Sequence, residues 1–149
     1  MDHIVSLDAN ARELENLLLG NKSMIIRGAH CRKLPHGRVR EGDNLYFVCS
    51  NCEGEVRARG TVSSVFCSGM LTEEESYGII IRNQDRLQLP DNQFESIAGK
   101  RYLVLIGLAN IERLIPFRFD SSSFVNSVDW IPVGNIDQFI LSGRGIITA

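Results

Sequence analysis

From Lys22 to Arg40 the chain carries six basic side chains, Lys22, Arg27, Arg32, Lys33, Arg38 and Arg40, and neither Asp nor Glu. The whole chain holds 16 Lys and Arg against 18 Asp and Glu. The rest is therefore acidic, ten basic residues against 18, around a segment of local charge +6. Such an asymmetry suits a local anion site, whereas a pI near 5.9 argues against a general polyanion binder. The arginine fork makes bidentate phosphate contacts and lysine acts as a point charge, so these residues converging on one cleft would hold a phosphate. The ordinary alternative is a solvated basic loop. Trp130, the only tryptophan, is a candidate to stack a base, as aromatics do in RNA and single-strand readers, or else an anchor in the core.

Other catalytic vocabulary is thin. There is no Walker loop, no complete dinucleotide glycine fingerprint, no H-E-x-x-H and no G-x-S-x-G. His3, His30 and His36 are the only histidines, and the last two lie in the basic loop with no orienting acid adjacent in sequence. Cys49-Ser-Asn-Cys52 is a C-x-x-C without a second pair to complete four zinc ligands. It ends a strand pattern rather than opening a thioredoxin-like helix. Reduced cysteines, no metal and no cofactor are expected.

The elements that must position these side chains follow from periodicity. His3–Leu7 reads as an opening strand, followed by a helix over residues 8–19 with Leu7, Ala11, Leu14 and Leu18 as its stripe and Ser6 or Asp8 as its cap. Gly20 stands where a left-handed helix terminator is wanted. Residues 22–27 form a strand too apolar for an edge, with Ile25 and Arg27 on one face. Pro35 and Gly37 make the next stretch a loop, Glu41-Gly-Asp43 a turn and Asn44–Cys49 a strand. Residues 53–62 alternate, Val56, Ala58, Gly60 and Val62 inward, Arg57 and Arg59 outward, with small residues where a curved sheet would close.

Thr72 to Glu75 matches a capping box opening a helix towards Gln84, and Pro90 starts a second helix through Phe94 and Ile97. Tyr102–Ala109 is the most apolar run and reads as a central strand; residues 115–119 read as a strand at a sheet edge. Residues 129–134 are expected to be irregular, and about 142–149 a flexible tail.

At 149 residues, 44% hydrophobic and 23% charged, the chain fits one globular domain with its own core. No apolar run reaches the roughly 20 residues of a membrane span, and Asp2, Asp8, Glu13 and Glu15 do not suit a secretory signal. A cytoplasmic location is the expectation.

The order of elements around Gly20, Lys22 and Arg27 resembles the ASCH family of the PUA-like superfamily, whose signature is G-x-K-x-x-E-x-R. Ile25 stands at the position of its glutamate. The resemblance runs from HIVSLDANARELENLLLG through REGDNLYFVCS and GEVRARGTVSSV, and more weakly to KRYLVLIGL, about two-thirds of the chain. It implies an α+β fold: a small, mostly antiparallel PUA-like β-barrel with flanking helices. It also implies an RNA or a phosphate-bearing nucleotide as partner, since PUA-like domains are generally associated with RNA or modified-nucleotide recognition. A second implication is a small amidohydrolase acting on acylated cytidine through the motif lysine, a threonine on the following strand and a downstream glutamate. Lys22 matches that lysine and Ile25 falls at the threonine position. A regulatory interaction protein without a nucleic-acid ligand is the third class.

Overall fold

The computed structural model describes residues 1–49, 55–119 and 130–142. Its elements in chain order are β1 (Asp2–Leu7), α1 (Glu13–Leu19), β2 (Met24–Ala29), β3 (Asn44–Cys49), β4 (Glu55–Cys67), α2 (Glu73–Arg82), α3 (Gln84–Leu87), α4 (Asp91–Ile97), β5 (Tyr102–Phe119), β6 (Trp130–Gly134), a 3-10 turn (Ile136–Phe139) and β7 (Ile140–Ser142). One mixed sheet runs β2-β5-β4-β3-β1-β6, with β7 added to β5. Only the β1–β3 pair is parallel. The sheet curls into a half-barrel with the helices on its outside and in its open end, the α+β barrel-like class that the resemblance implied.

The curl has a local cause. On β4, Val56, Ala58, Gly60 and Val62 are all buried, as their alternation predicts, while Arg57 points to solvent. A Cβ added at Gly60 would lie 3.0 Å from Ile111 Cδ1 and 3.3 Å from Phe47 Cε2, so a bare backbone is what lets the neighbouring strands pack over it. The strand continues five residues past the predicted end, to Cys67. On β5, Leu103 and Leu105 face the helices while Val104, Ile106 and Leu108 face the barrel interior, giving a strand buried on both sides. The separate strand expected at 115–119 is its continuation, β2 flanking the first part and β7 the end.

Three sequence expectations are corrected. The first helix starts at Glu13 rather than at residue 8, because Asp8 Oδ1 accepts from the N–H groups of Asn10 (2.8 Å) and Ala11 (3.3 Å) and so folds residues 8–11 into a turn. Gly20 does terminate it in the left-handed region, at φ 82°. β2 is a terminal strand of the sheet, not an internal one. Met24 and Ile26 are buried by Ile79, Ile80, Leu87 and Leu89 of the helical layer, so the apolar edge is covered by helices instead of another strand. Residues 130–134, expected to be irregular, form β6 on β1. Pro132 is tolerated there because β6 ends the strand path, where a missing N–H disrupts no ladder beyond it.

The capping box is present, with Thr72 accepting from the Glu75 N–H and Glu75 accepting from the Thr72 N–H. α4 spans Asp91–Ile97 after Pro90, as read. Leu14 and Leu17 of α1 insert into the barrel interior beside Ile25, Phe47 and Trp130. Cys52 and the tail beyond Ser142 lie outside the described residues, so the C-x-x-C is not described. No helix of the structure is long and apolar enough to cross a membrane.

Candidate ligand-binding site

The alternation on β2 that buries Ile25 in the barrel sends Arg27 along the same face to the seam left open between β2 and β1. There Nη2 donates to the Ser6 carbonyl at 2.7 Å and Nη1 to the carbonyl of Ile26 at 2.9 Å. The guanidinium carbon lies 5.8 Å from the centroid of the Trp130 ring on β6. Arg27, whose family-pattern carboxylate is replaced by Ile25, thus takes main-chain oxygens and an aromatic face as partners.

Trp130 is 2% exposed and anchored in turn. Its indole Nε1, a donor only, is 3.1 Å from His3 Nδ1, which must therefore accept. The His3 proton then sits on Nε2, 2.8 Å from Asp43 Oδ2. Burial alone would raise the Asp43 pKa, but the bonds from His3 and the Arg40 N–H outweigh it and hold this carboxyl below the usual carboxylate value. A continuous relay, Arg27–Trp130–His3–Asp43, links the β2 edge to the turn that opens β3.

The basic loop folds over the end of this seam. The N–H groups of His36 and Arg38 bond to Lys33 O and Pro35 O, and Gly37 takes φ 76°. His36 Nε2 lies 2.8 Å from the Ser68 carbonyl and its ring meets Tyr102 edge-on at 6.0 Å. Arg32 lies over the Tyr102 ring at 5.7 Å. Between loop and sheet is a cavity of about 240 Å³ lined by Arg27, Gly28, Ala29, Cys31, Lys33, Leu34, His36, Tyr102, Val104 and Trp130. No carboxylate lines it.

Of the residues singled out in sequence, Arg27, Lys33 and Trp130 come together here, and Arg32 joins through Tyr102. Arg38 and Arg40 are exposed on the same loop but outside the lining. Lys22 is elsewhere: 3% exposed, it gives its ammonium to the Leu87 carbonyl and sits 3.8 Å from Glu13 Oε2. Burial lowers its pKa below the ordinary lysine value, Glu13 opposing and Arg27 adding to the shift. Lys22 lines none of the described cavities, and Ile25 is fully buried in the core. Trp130 forms the floor, one face under Arg27. The aromatic wall is Tyr102, which sequence reading placed only as the start of a strand.

The comparisons with known proteins agree with this geometry at the level of fold. Neither a family model nor a curated sequence matches the chain. Among solved structures, the ASCH protein of Zymomonas mobilis superposes with a TM-score of 0.61 at 13% identity, covering 86% of this chain and 82% of that one. Two single-residue variants of the same protein give 0.60 and 0.62 at 12% identity, covering 78% and 86% of this chain and 75% and 82% of theirs. The fold is that of the ASCH proteins. Within the ASCH fold seen here, the motif arginine closes the seam and the motif lysine is buried beneath α3 and α1.

Proposed function

We propose that this ASCH-fold protein binds RNA or a phosphate-bearing nucleotide in the cavity between β2, β6 and the basic loop. The observation that carries the reading is the lining: Arg27, Lys33, His36 and Tyr102 converge with no carboxylate among them, in a chain that is acidic elsewhere. At about 240 Å³ the cavity is smaller than the ~300–1,000 Å³ of most small-molecule sites and suits one ring system. Tyr102 and the Arg32 guanidinium offer a stacking platform for a base, while Lys33 and the exposed Arg38 and Arg40 lie where a backbone would run. The sequence resemblance around Gly20, Lys22 and Arg27 implies the same ligand class. The charge asymmetry supports it independently.

Equilibrium binding of a single-stranded RNA pool and a nucleotide panel at low salt tests this. Tyr102→Ala should weaken binding by the roughly 1–3 kcal/mol of a stacked base, and Arg57→Gln, on the solvent side of β4, should leave it unchanged. Absence of any binding by folded protein would leave a regulatory interaction protein as the reading.

A further inference from the structure

The bond that pins the basic loop over the cavity also fixes a tautomer. His36 Nε2 lies 2.8 Å from the main-chain oxygen of Ser68. A carbonyl oxygen only accepts, so in the neutral imidazole Nε2 carries the proton and Nδ1 keeps its lone pair. Ser68 is itself buried and held on β5: its N–H donates to the Leu103 carbonyl and its Oγ accepts from the Leu103 N–H, each at 2.9 Å. The edge-on contact with Tyr102 sets the tilt of the ring. His36 is therefore positioned by the sheet as well as by its own loop.

Among the described residues, His36 Nδ1 has no hydrogen-bond partner. The buried side-chain polar atoms that lack one there are Arg27 Nε, Gln84 Oε1 and Gln93 Oε1, so Nδ1 is accessible, on a residue that lines the cavity. The other polar side chains of the lining have a different character. Arg27 and Lys33 are donors without an acceptor, and the Tyr102 hydroxyl and Cys31 thiol both donate and accept. In its neutral form His36 thus places in the lining a side-chain atom that accepts and does not donate. A phosphate oxygen brought to it would meet a lone pair, whereas an N–H on the edge of a base would be matched.

We infer that His36 is the base-reading residue of this cavity: the ligand enters base first, with an N–H of its edge donated to Nδ1, and keeps its phosphate outside. The inference rests on the binding reading for the cavity and adds an orientation and a chemical requirement to it. The phosphate then meets Lys33 and the exposed Arg38 and Arg40, which lie on the same loop as His36. A lining without carboxylates would by itself suit a phosphate equally well. The lone pair of His36 is what separates the two orientations, and it excludes inorganic phosphate and sugar phosphates as occupants.

The test pairs the ribonucleoside monophosphate that binds best with its analogue lacking the edge N–H: the amino group deleted for adenine or cytosine, the ring N–H methylated for guanine or uracil. Ribose 5-phosphate serves as the probe without a base. Binding is measured at pH 8, above the titration of ordinary imidazoles. The intact chain should bind the parent nucleotide roughly tenfold tighter than the analogue, the loss of one hydrogen bond that leaves its acceptor unpaired. His36→Gln keeps a donor for the Ser68 carbonyl but no acceptor in place of Nδ1, so it should bind parent and analogue alike. His36→Asn gives up the bond to Ser68 and restores an oxygen near the place of Nδ1, so it should bind more weakly overall yet keep the preference. A residue that only latched the loop would give the reverse pattern. Equal affinities for parent and analogue in the intact chain, a preference that survives in His36→Gln, or ribose 5-phosphate binding as tightly as the nucleotide would each overturn the inference. In a protein still weakened by Tyr102→Ala, those outcomes would leave the cavity itself standing as the binding site. Nucleotide binding insensitive to Tyr102→Ala would overturn the cavity reading and this inference with it.

Discussion

The guanidinium of Arg27 lies 5.8 Å from the centroid of the Trp130 ring, joining the two terminal strands of the sheet that share no ladder. Its bond to Ser6 O adds a third strand to the same junction. A half-barrel leaves main-chain groups unpaired along its seam, and here one side chain covers two of those carbonyls, Ser6 and Ile26. Arg27 is therefore a closure element as well as a cavity wall. Those two roles must be separated in any mutational study.

Arg27→Ala should destabilise the protein by about 2–4 kcal/mol, from charge-assisted hydrogen bonds and a cation–π contact. Arg27→Lys keeps the charge but not the planar fork and should recover less than half of that loss. Urea unfolding followed by the fluorescence of Trp130, the only tryptophan, measures both. An unchanged midpoint for Arg27→Ala would show that the seam does not depend on this residue.

Lys22 and Glu13 are predicted to behave as a buried pair. Lys22→Met strands a buried carboxylate and should cost about 3–5 kcal/mol, whereas the double variant Glu13→Gln/Lys22→Met should recover most of it. The pH dependence has a definite sign. With the folded-state pKa of Lys22 below the unfolded 10.5, the unfolded chain binds the extra proton between those two values. The contribution of Lys22 to stability therefore rises with pH across that window. Comparing wild type with Lys22→Met from neutral pH to 10.5 isolates it; a stability difference that is flat with pH would contradict the assignment.

Why Lys22 and Arg27 had to be seen in structure is physical. The β4 alternation was legible because one face meets core and the other water, and Gly20 because only a left-handed terminator fits there. The coverage of β2 was not legible: apolar residues on both faces are equally consistent with a neighbouring strand or with helices, and α2–α4 supply the cover. The partners of Arg27 are a main-chain oxygen 21 residues back and a ring more than a hundred residues ahead, brought together only by the curl of the sheet. Tyr102 carried no sequence signal, since it opens an apolar strand. Glu13 was readable only as a helix residue beside the leucine stripe.

Asp43 provides an acid-side prediction. Its folded pKa is depressed, so its contribution is fully present above the ordinary carboxylate value near 3.8 and is lost as pH falls through the folded value. Protonating Asp43 removes the acceptor of the His3 Nε2 proton and loosens the relay that seats Trp130. Acid titration should therefore shift Trp130 emission to the red only once pH falls below the ordinary carboxylate value, and Asp43→Asn should flatten the stability profile in that range. Emission that stays constant until global unfolding would sever the relay from Trp130.

The last prediction concerns salt. If Lys33, Arg32, Arg38 and Arg40 meet the phosphates of a single strand, binding releases condensed counterions, and affinity must fall linearly on a log–log plot with salt. Each phosphate neutralised contributes about 0.7 to the slope for single strands. A strand meeting these side chains at three or four phosphates should then give a slope of roughly −2 to −3. Removing one contact with Arg38→Gln or Lys33→Gln should lower its magnitude by about 0.7, with little change in base preference, because phosphate contacts position a strand without reading it. Tyr102→Ala should do the opposite, lowering affinity at every salt concentration and leaving the slope in place. A free nucleotide seated in the first cavity would show almost no slope, and its binding would ignore Arg38, which lies outside the lining. A slope unchanged in both charge variants would therefore remove the basic loop from the interface, whatever the ligand in the cavity proves to be.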